Sequence, residues 1–363
     1  MMLPFALRRA AVSALLILPL LFTACDSTTD TGCEGGADDC LPPPATVFVG
    51  NQGNFTDGDG SVTTYDPESD AAAEPIGDFG AIVQSIATDG QNLYVAANTG
   101  GRVDVYRLDT ESGLSDGRIG QIPVENPRYL AFTEDKVFVT SQLYDRPSEV
   151  VVADAATFEV VATVEVGGFA EGIAVRGDRV FVATGAFGAT QEVVVLDAAT
   201  NEVVQRIDVG CTAPRSLVAD SFGAEVWVFC AGAPATDDAP EVEGEVVVLD
   251  AATGEVVTRI AIDGRIDTAG PGQDAFARGV SIFAVRDQDT VLRFDAEANT
   301  LAATIPAAGD PIGAVAFDDR AERLYLGRVA GFDVAGSVTI HEADGTQAGV
   351  FTAGVAPTSI LVP

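Results

Sequence analysis

The chain has 363 residues, with 54 acidic side chains against 20 basic ones and a formal net charge of −34 at pH 7. A field of that sign repels nucleic acid and anionic lipid, which excludes binding to a phosphate backbone as the function. The single histidine, His341, excludes a histidine cluster for zinc or copper and a Ser-His-Asp triad.

Residues 1–24 read as a lipoprotein signal peptide. Arg8 and Arg9 precede an apolar run from Ala10 to Phe22 that is short for a membrane span and is broken by Pro19. The tetrad Phe22-Thr23-Ala24-Cys25 resembles the bacterial lipobox and so implies cleavage before Cys25 and lipidation of its thiol. The alternative is ordinary secretion with Cys25 incidental. Residues 25–44 are rich in Gly, Pro, Asp and Thr without apolar periodicity, which suits a flexible tether, and Cys33 and Cys40 are expected to pair within it. The expected location is the cell envelope, with the membrane reached through the lipid anchor, either on the outer membrane or on a periplasm-facing membrane surface.

Residues 45–363 carry one repeated unit. The anchors Tyr65-Asp66, Leu108-Asp109, Ala153-Asp154, Leu196-Asp197, Leu249-Asp250, Phe294-Asp295 and Ile340-His341 are spaced 43, 45, 43, 53, 45 and 46 residues apart. A period of roughly 40–50 residues with several short strands is the signature of a propeller blade, because one four-stranded sheet buries its faces only when neighbours stack on it. The predicted fold is therefore all-β, a seven-bladed β-propeller. The fourth unit shows four β-branched runs, Gly172–Val175, Arg179–Ala183, Glu192–Leu196 and Val203–Val209, separated by turn residues. Its turn Asp197-Ala198-Ala199-Thr200 recurs after Asp154 and Asp250, where Asp bonds its own backbone two residues on, so the repeated Asp is a turn former. Only three strands fit between Thr46 and Ile76, whereas residues 356–362 repeat a first strand with no blade of their own. The C-terminal strand is expected to close the first blade and remove a free edge.

Leu93-Tyr94-Val95-Ala96-Ala97-Asn98 and residues 246–255 make the units similar to the YVTN/YncE-like propeller repeats of bacterial envelope proteins, over Ala45 to Pro363. The fifth unit, with Cys211 before its first strand and Cys230 ending its second, resembles cysteine-bearing blades of lipoprotein propellers found beside TonB-dependent transporters, the BtuG type among them. That resemblance implies an outer-membrane transporter or another envelope protein as partner. It transfers no ligand. Cys211 and Cys230 reach the same face, and an oxidising compartment favours a disulfide over two buried thiols.

Alignment of the seven first strands gives one variable position just before the small residue, such as Gly279 after Arg278, and it is held by Gln84, Arg128, Glu171, Arg215, Arg278, Ile312 and Thr358. These residues are expected at the channel mouth. Arginine forks suit a small oxygen-rich ligand, or else they neutralise Glu171 and nearby loop acids. The loops after the second strands add Phe55, Tyr144, Phe187 and Phe332, and the loops leading into the first strands add Phe79, Phe169 and Phe276. Each aromatic either faces a ligand or plugs a gap between blades. Insertions at 231–243 and 263–277 carry Asp237, Asp238, Glu241, Glu243, Asp263, Asp267 and Asp274, which are calcium ligands or solvated loop acids. No metal, cofactor or catalytic residue is assigned. The expected function is binding of a ligand or partner on the loop face. A carboxylate-based or calcium-dependent envelope hydrolase or lyase, and a pure interaction scaffold, are the alternatives.

Overall fold

A computed structural model describes residues 46–73, 77, 79–109, 113–220, 223–270 and 272–363. The signal peptide, Cys25 and the expected Cys33–Cys40 pair lie outside the described residues.

The third strands Glu149–Asp154, Glu192–Asp197 and Glu245–Asp250 each bury four consecutive apolar residues, because a neighbouring sheet covers both of their faces. The fourth strands, such as Val160–Glu165 and Val256–Ala261, alternate between exposed and half-buried positions, as outer edges do. Stacking such sheets side by side gives seven four-stranded antiparallel blades. The apolar core is correspondingly divided into inter-blade layers. One of them joins Phe181, Val193 and Val195 of blade four to Val226, Val228, Val247 and Leu249 of blade five.

Closure follows the expected route. Pro357–Leu361 is the innermost strand of a blade whose other strands are Val47–Asn51, Ser61–Asp66 and Ala71–Ala72. Phe48 pairs with Leu361, Val49 with Ile360 and Gly50 with Ser359.

The recurrent Asp ends the third strand and shapes the next turn. Asp250 Oδ1 accepts from the Ala252 and Thr253 amides at 3.0 and 2.7 Å, and Asp154 and Asp197 repeat the pattern. The fourth residue after each Asp turns left-handed, at Asn201, Gly254 and Asn299, and also at Phe158 with φ 61°. A bulky residue rarely accepts that conformation. Phe158 is held there by packing beside Gly120, where a Cβ would overlap its ring, and edge-on to Tyr94 at 6.3 Å.

Cys211 and Cys230 form a disulfide with Cα atoms 6.1 Å apart, inside the layer between blades four and five. The bond closes a loop of 19 residues, a length for which loop-closure entropy gives about 3 kcal/mol. Replacing both cysteines by serine is expected to lower the unfolding free energy by about that amount, read from urea midpoints under non-reducing conditions. An unchanged midpoint would show that packing alone fastens this layer.

Candidate functional site

The innermost strands start at the end of the ring that carries the loops, and there the variable positions of consecutive blades meet. Arg128 of blade three donates from Nε to Glu171 Oε2 of blade four at 2.9 Å and from Nη2 to Glu171 Oε1, while its Nη1 reaches Gln84 Oε1 of blade two. Arg215 of blade five donates from Nε to Asp274 Oδ2 of blade six at 2.6 Å and from Nη2 to Oδ1. The mouth thus holds two fork-to-fork ion pairs laid side by side, with a net charge of zero over the four groups.

Burial makes these pairs consequential. Arg128 is 7% exposed, Glu171 3% and Asp274 4%. Burial by itself would depress the Arg128 guanidinium, but Glu171 outweighs it and holds the group above its ordinary value; Asp274 does the same for Arg215. Both arginines are therefore fixed cations whose charge is already answered.

The sixth position corrects the sequence reading. The first strand of blade six is Ala275–Arg278, so Arg278 ends it rather than begins it. Arg278 instead donates to Asp319 at 2.8 Å and lies beside the carbonyls of Val362 and Pro363, away from the mouth. Gly279, taken from sequence as the small residue inside the strand, has φ 56° and belongs to the hairpin turn before Ser281. Asp274, from the second insertion, occupies the ring in its place, and Thr268 Oγ1 supports its Oδ1 at 2.7 Å. Asp267 of the same insertion is engaged by Arg265 at 3.3 Å and Gln288 at 3.0 Å. Among the described residues, no group of three or more His, Cys, Asp or Glu side chains is placed to hold a metal ion. Thr358 and Ile312 are buried and are not among the residues that line the cup above this ring.

Above the ring opens a cup of about 590 Å³ lined by Gln84, Arg128, Glu171 and Arg215 at its base and by Phe55, Tyr144, Phe187 and Phe332 higher up. The four aromatics are 68%, 68%, 76% and 43% exposed, so they are not gap fillers. Phe79 and Phe276 are: Phe79 sits in the layer between blades one and two, and Phe276 packs against two such layers. Phe169 is half-buried and links the rim, lying 5.6 Å from Tyr144 and 6.0 Å from Phe187.

Two functional residues escaped the sequence reading. Gln142 donates to Glu171 Oε2 at 2.7 Å and accepts from the Tyr144 hydroxyl at 2.8 Å, tying rim to base. Its signal was available, since it stands two residues before Tyr144 in a loop already placed on this face. Tyr129 occupies the innermost slot where other blades carry Ser85, Gly172, Ser216, Ala275 and Ser359. With those residues it lines a second cavity of about 160 Å³ beneath the ring. Its hydroxyl donates to the Gly272 carbonyl of blade six at 2.8 Å. Burial, then the charges of Glu171 and Asp274, raise its pKa, so the phenol stays protonated and keeps that bond. The upper space is accordingly a floored cup, separated by the paired ring from the cavity below.

Phe187 sits in a single 3-10 turn, Ala186–Gly188, with φ 56°. Left-handed backbone at a bulky, solvent-facing residue costs of order 1–3 kcal/mol and signals a demand other than packing. Phe187→Gly is expected to unfold within about 1 kcal/mol of the parent, strain relief offsetting glycine's added chain entropy. A urea-midpoint loss as large as the roughly 3–5 kcal/mol of a core Phe→Ala change would make it a structural residue instead.

Fold and site together define a seven-bladed β-propeller with an aromatic-rimmed cup on its loop face. The chain belongs to the family described as a domain of unknown function (DUF5074), which matches residues 45–233, a span containing Gln84, Arg128, Glu171 and Arg215. No curated protein sequence matches it. Among solved structures it is similar to Kuenenia stuttgartiensis hydrazine synthase, at 17% identity and a TM-score of 0.60, over 76% of this chain and 88% of that one. That likeness is one of fold.

Proposed function

We propose that this protein is a lipid-anchored binding propeller of the cell envelope that captures a ligand in the loop-face cup and works as a capture accessory beside an outer-membrane transporter. The observation that carries the capture reading is the cup itself. Its volume falls in the range of small-molecule sites, roughly 300–1,000 Å³, and its base is a pre-formed hydrogen-bonded ring. Ring and rim are held before any ligand arrives, through the Tyr144–Gln142–Glu171–Arg128–Gln84 chain. Such preorganisation reduces the ordering cost of binding. The anchor and the transporter rest on the resemblances at residues 22–25 and in blade five.

Glu171 is the one carboxylate among the described residues that line the cup, and Arg128 and Gln142 occupy both its oxygens. A paired-carboxylate hydrolase needs a second free acid beside the first, and Asp274, the other acid of the ring, is committed to Arg215 and Thr268, so capture is favoured over turnover. The test is a thermal-shift screen of the purified protein against small molecules, since a ligand confined to the folded state at a hundredfold its Kd adds about 2.7 kcal/mol. A shift that disappears in Phe187→Ala supports capture. A screen in which nothing shifts the melt assigns the face to a protein partner.

A further inference from the structure

We infer that the ligand of the cup is an uncharged oligosaccharide, an inference that rests on the capture reading above. Charge is the first argument. The ring is neutral by internal pairing and the chain carries −34 overall, so a polyanionic ligand meets repulsion with no unanswered cation to offset it. A cationic ligand is drawn by that field but finds no open counter-ion, because Glu171, the one carboxylate among the described residues that line the cup, is already bound by a guanidinium.

The hydrogen-bonding groups left open in the lining are the second argument. Gln52 is 6% exposed, and its Oε1 is a buried acceptor without a partner. Asn98 uses Nδ2 on the Pro127 carbonyl at 3.0 Å, which fixes the amide and leaves Oδ1 as an acceptor. Thr99 Oγ1 accepts from the Ile82 amide at 3.0 Å and keeps its proton to donate. Arg215 commits Nε and Nη2 to Asp274, leaving Nη1 as a donor. All four residues line the cup. Two acceptors and two donors around the cup call for a ligand that both gives and takes hydrogen bonds. Hydroxyls do both, whereas carboxylates and phosphates only accept and ammonium groups only donate.

The third argument is shape. Phe55, Tyr144, Phe187 and Phe332 stand on the rim as exposed platforms. Flat aromatic faces suit the C–H faces of pyranose rings, whose hydroxyl edges then turn to the polar wall. Gly270 keeps the passage open between wall and platform. A Cβ there would come within 3.0 Å of the Phe332 ring and 3.5 Å of Gln52 Oε1.

The experiment is titration calorimetry on the full chain in detergent with neutral malto-, cello-, xylo- and chito-tetrasaccharides. Oligogalacturonate serves as the acidic counterpart, and a pool of terminally blocked tetrapeptides as the amide counterpart. Saturable binding of a neutral probe, weakened about tenfold or more, some 1.4 kcal/mol, by Phe187→Ala and by Phe332→Ala is the expected result. Both positions are exposed, so the variants fold, and Val204→Ala on an outer strand is expected to leave binding unchanged. Binding of oligogalacturonate or of the peptides alone overturns the neutral-sugar inference and leaves capture standing. Silence from every probe here, together with silence in the thermal-shift screen, overturns both.

Discussion

Deleting the last seven residues, Pro357–Pro363, is expected to abolish the cooperative unfolding transition of the whole ring. The strand lost is the innermost of blade one, and it pairs with Val47–Asn51 at the far end of the described chain. Ile360 and Val362, each 2% exposed, pack with Val47, Val49, Tyr65 and blade-seven residues such as Tyr325. Ser359 Oγ accepts from the Ile86 amide of blade two at 3.2 Å, and the Thr358 carbonyl accepts from the Gln273 amide of blade six at 2.9 Å. Burying an Ile, Leu or Val is worth about 1.5–3 kcal/mol each. Losing Ile360, Val362 and the partly buried Leu361 removes up to about 9 kcal/mol, comparable with the roughly 5–15 kcal/mol stability of an ordinary domain. The deletion also uncovers the Val47–Asn51 edge as a template for pairing with other chains. Circular dichroism and light scattering on heating are expected to show a broad, non-cooperative loss of signal with aggregation. A truncated chain that melts sharply near the parental temperature would mean that the blades stand without closure.

The second large effect is expected at Glu171. Glu171→Leu leaves Arg128 buried without its counter-ion and Gln142 without its acceptor, and breaking a buried pair from one side costs about 3–5 kcal/mol. The double variant Arg128→Leu/Glu171→Leu removes both charges, and its loss is expected to fall well short of the sum of the two single variants. Urea midpoints for the four proteins give the coupling directly. Additive single-variant losses would show that the two groups act independently, and the base of the cup would not then be a single unit.

Much of the architecture was legible because a propeller repeats its local rules. The Asp-initiated turn and the Val-rich third strand recur often enough to fix the period, and the strand count at the two ends gave the closure. The sixth ring position was misread because the 263–277 insertion breaks that period. Both Ala275 and Gly279 offered a small residue in the right neighbourhood, and only the left-handed backbone of Gly279 places it in a turn. The pairing within the ring was not legible either. Sequence brings Arg128, Glu171 and Arg215 to one mouth, but which fork closes on which carboxylate depends on blade-to-blade spacing. Asp274 was read as a loop acid for that reason. Tyr129 was missed although its bulk stood out, because an alignment that sought small residues at that slot passed over the exception.

The claim that this face is a ligand site is tested most directly by hydrogen–deuterium exchange of the full chain, with and without whichever small molecule raises its melting temperature most. The account predicts added protection at residues 52–55, 98–99, 142–144, 186–188 and around Gly270 and Phe332, with the outer strands unchanged. Protection confined to the outer strands or to the end bearing Arg278 and Asp319 would contradict it.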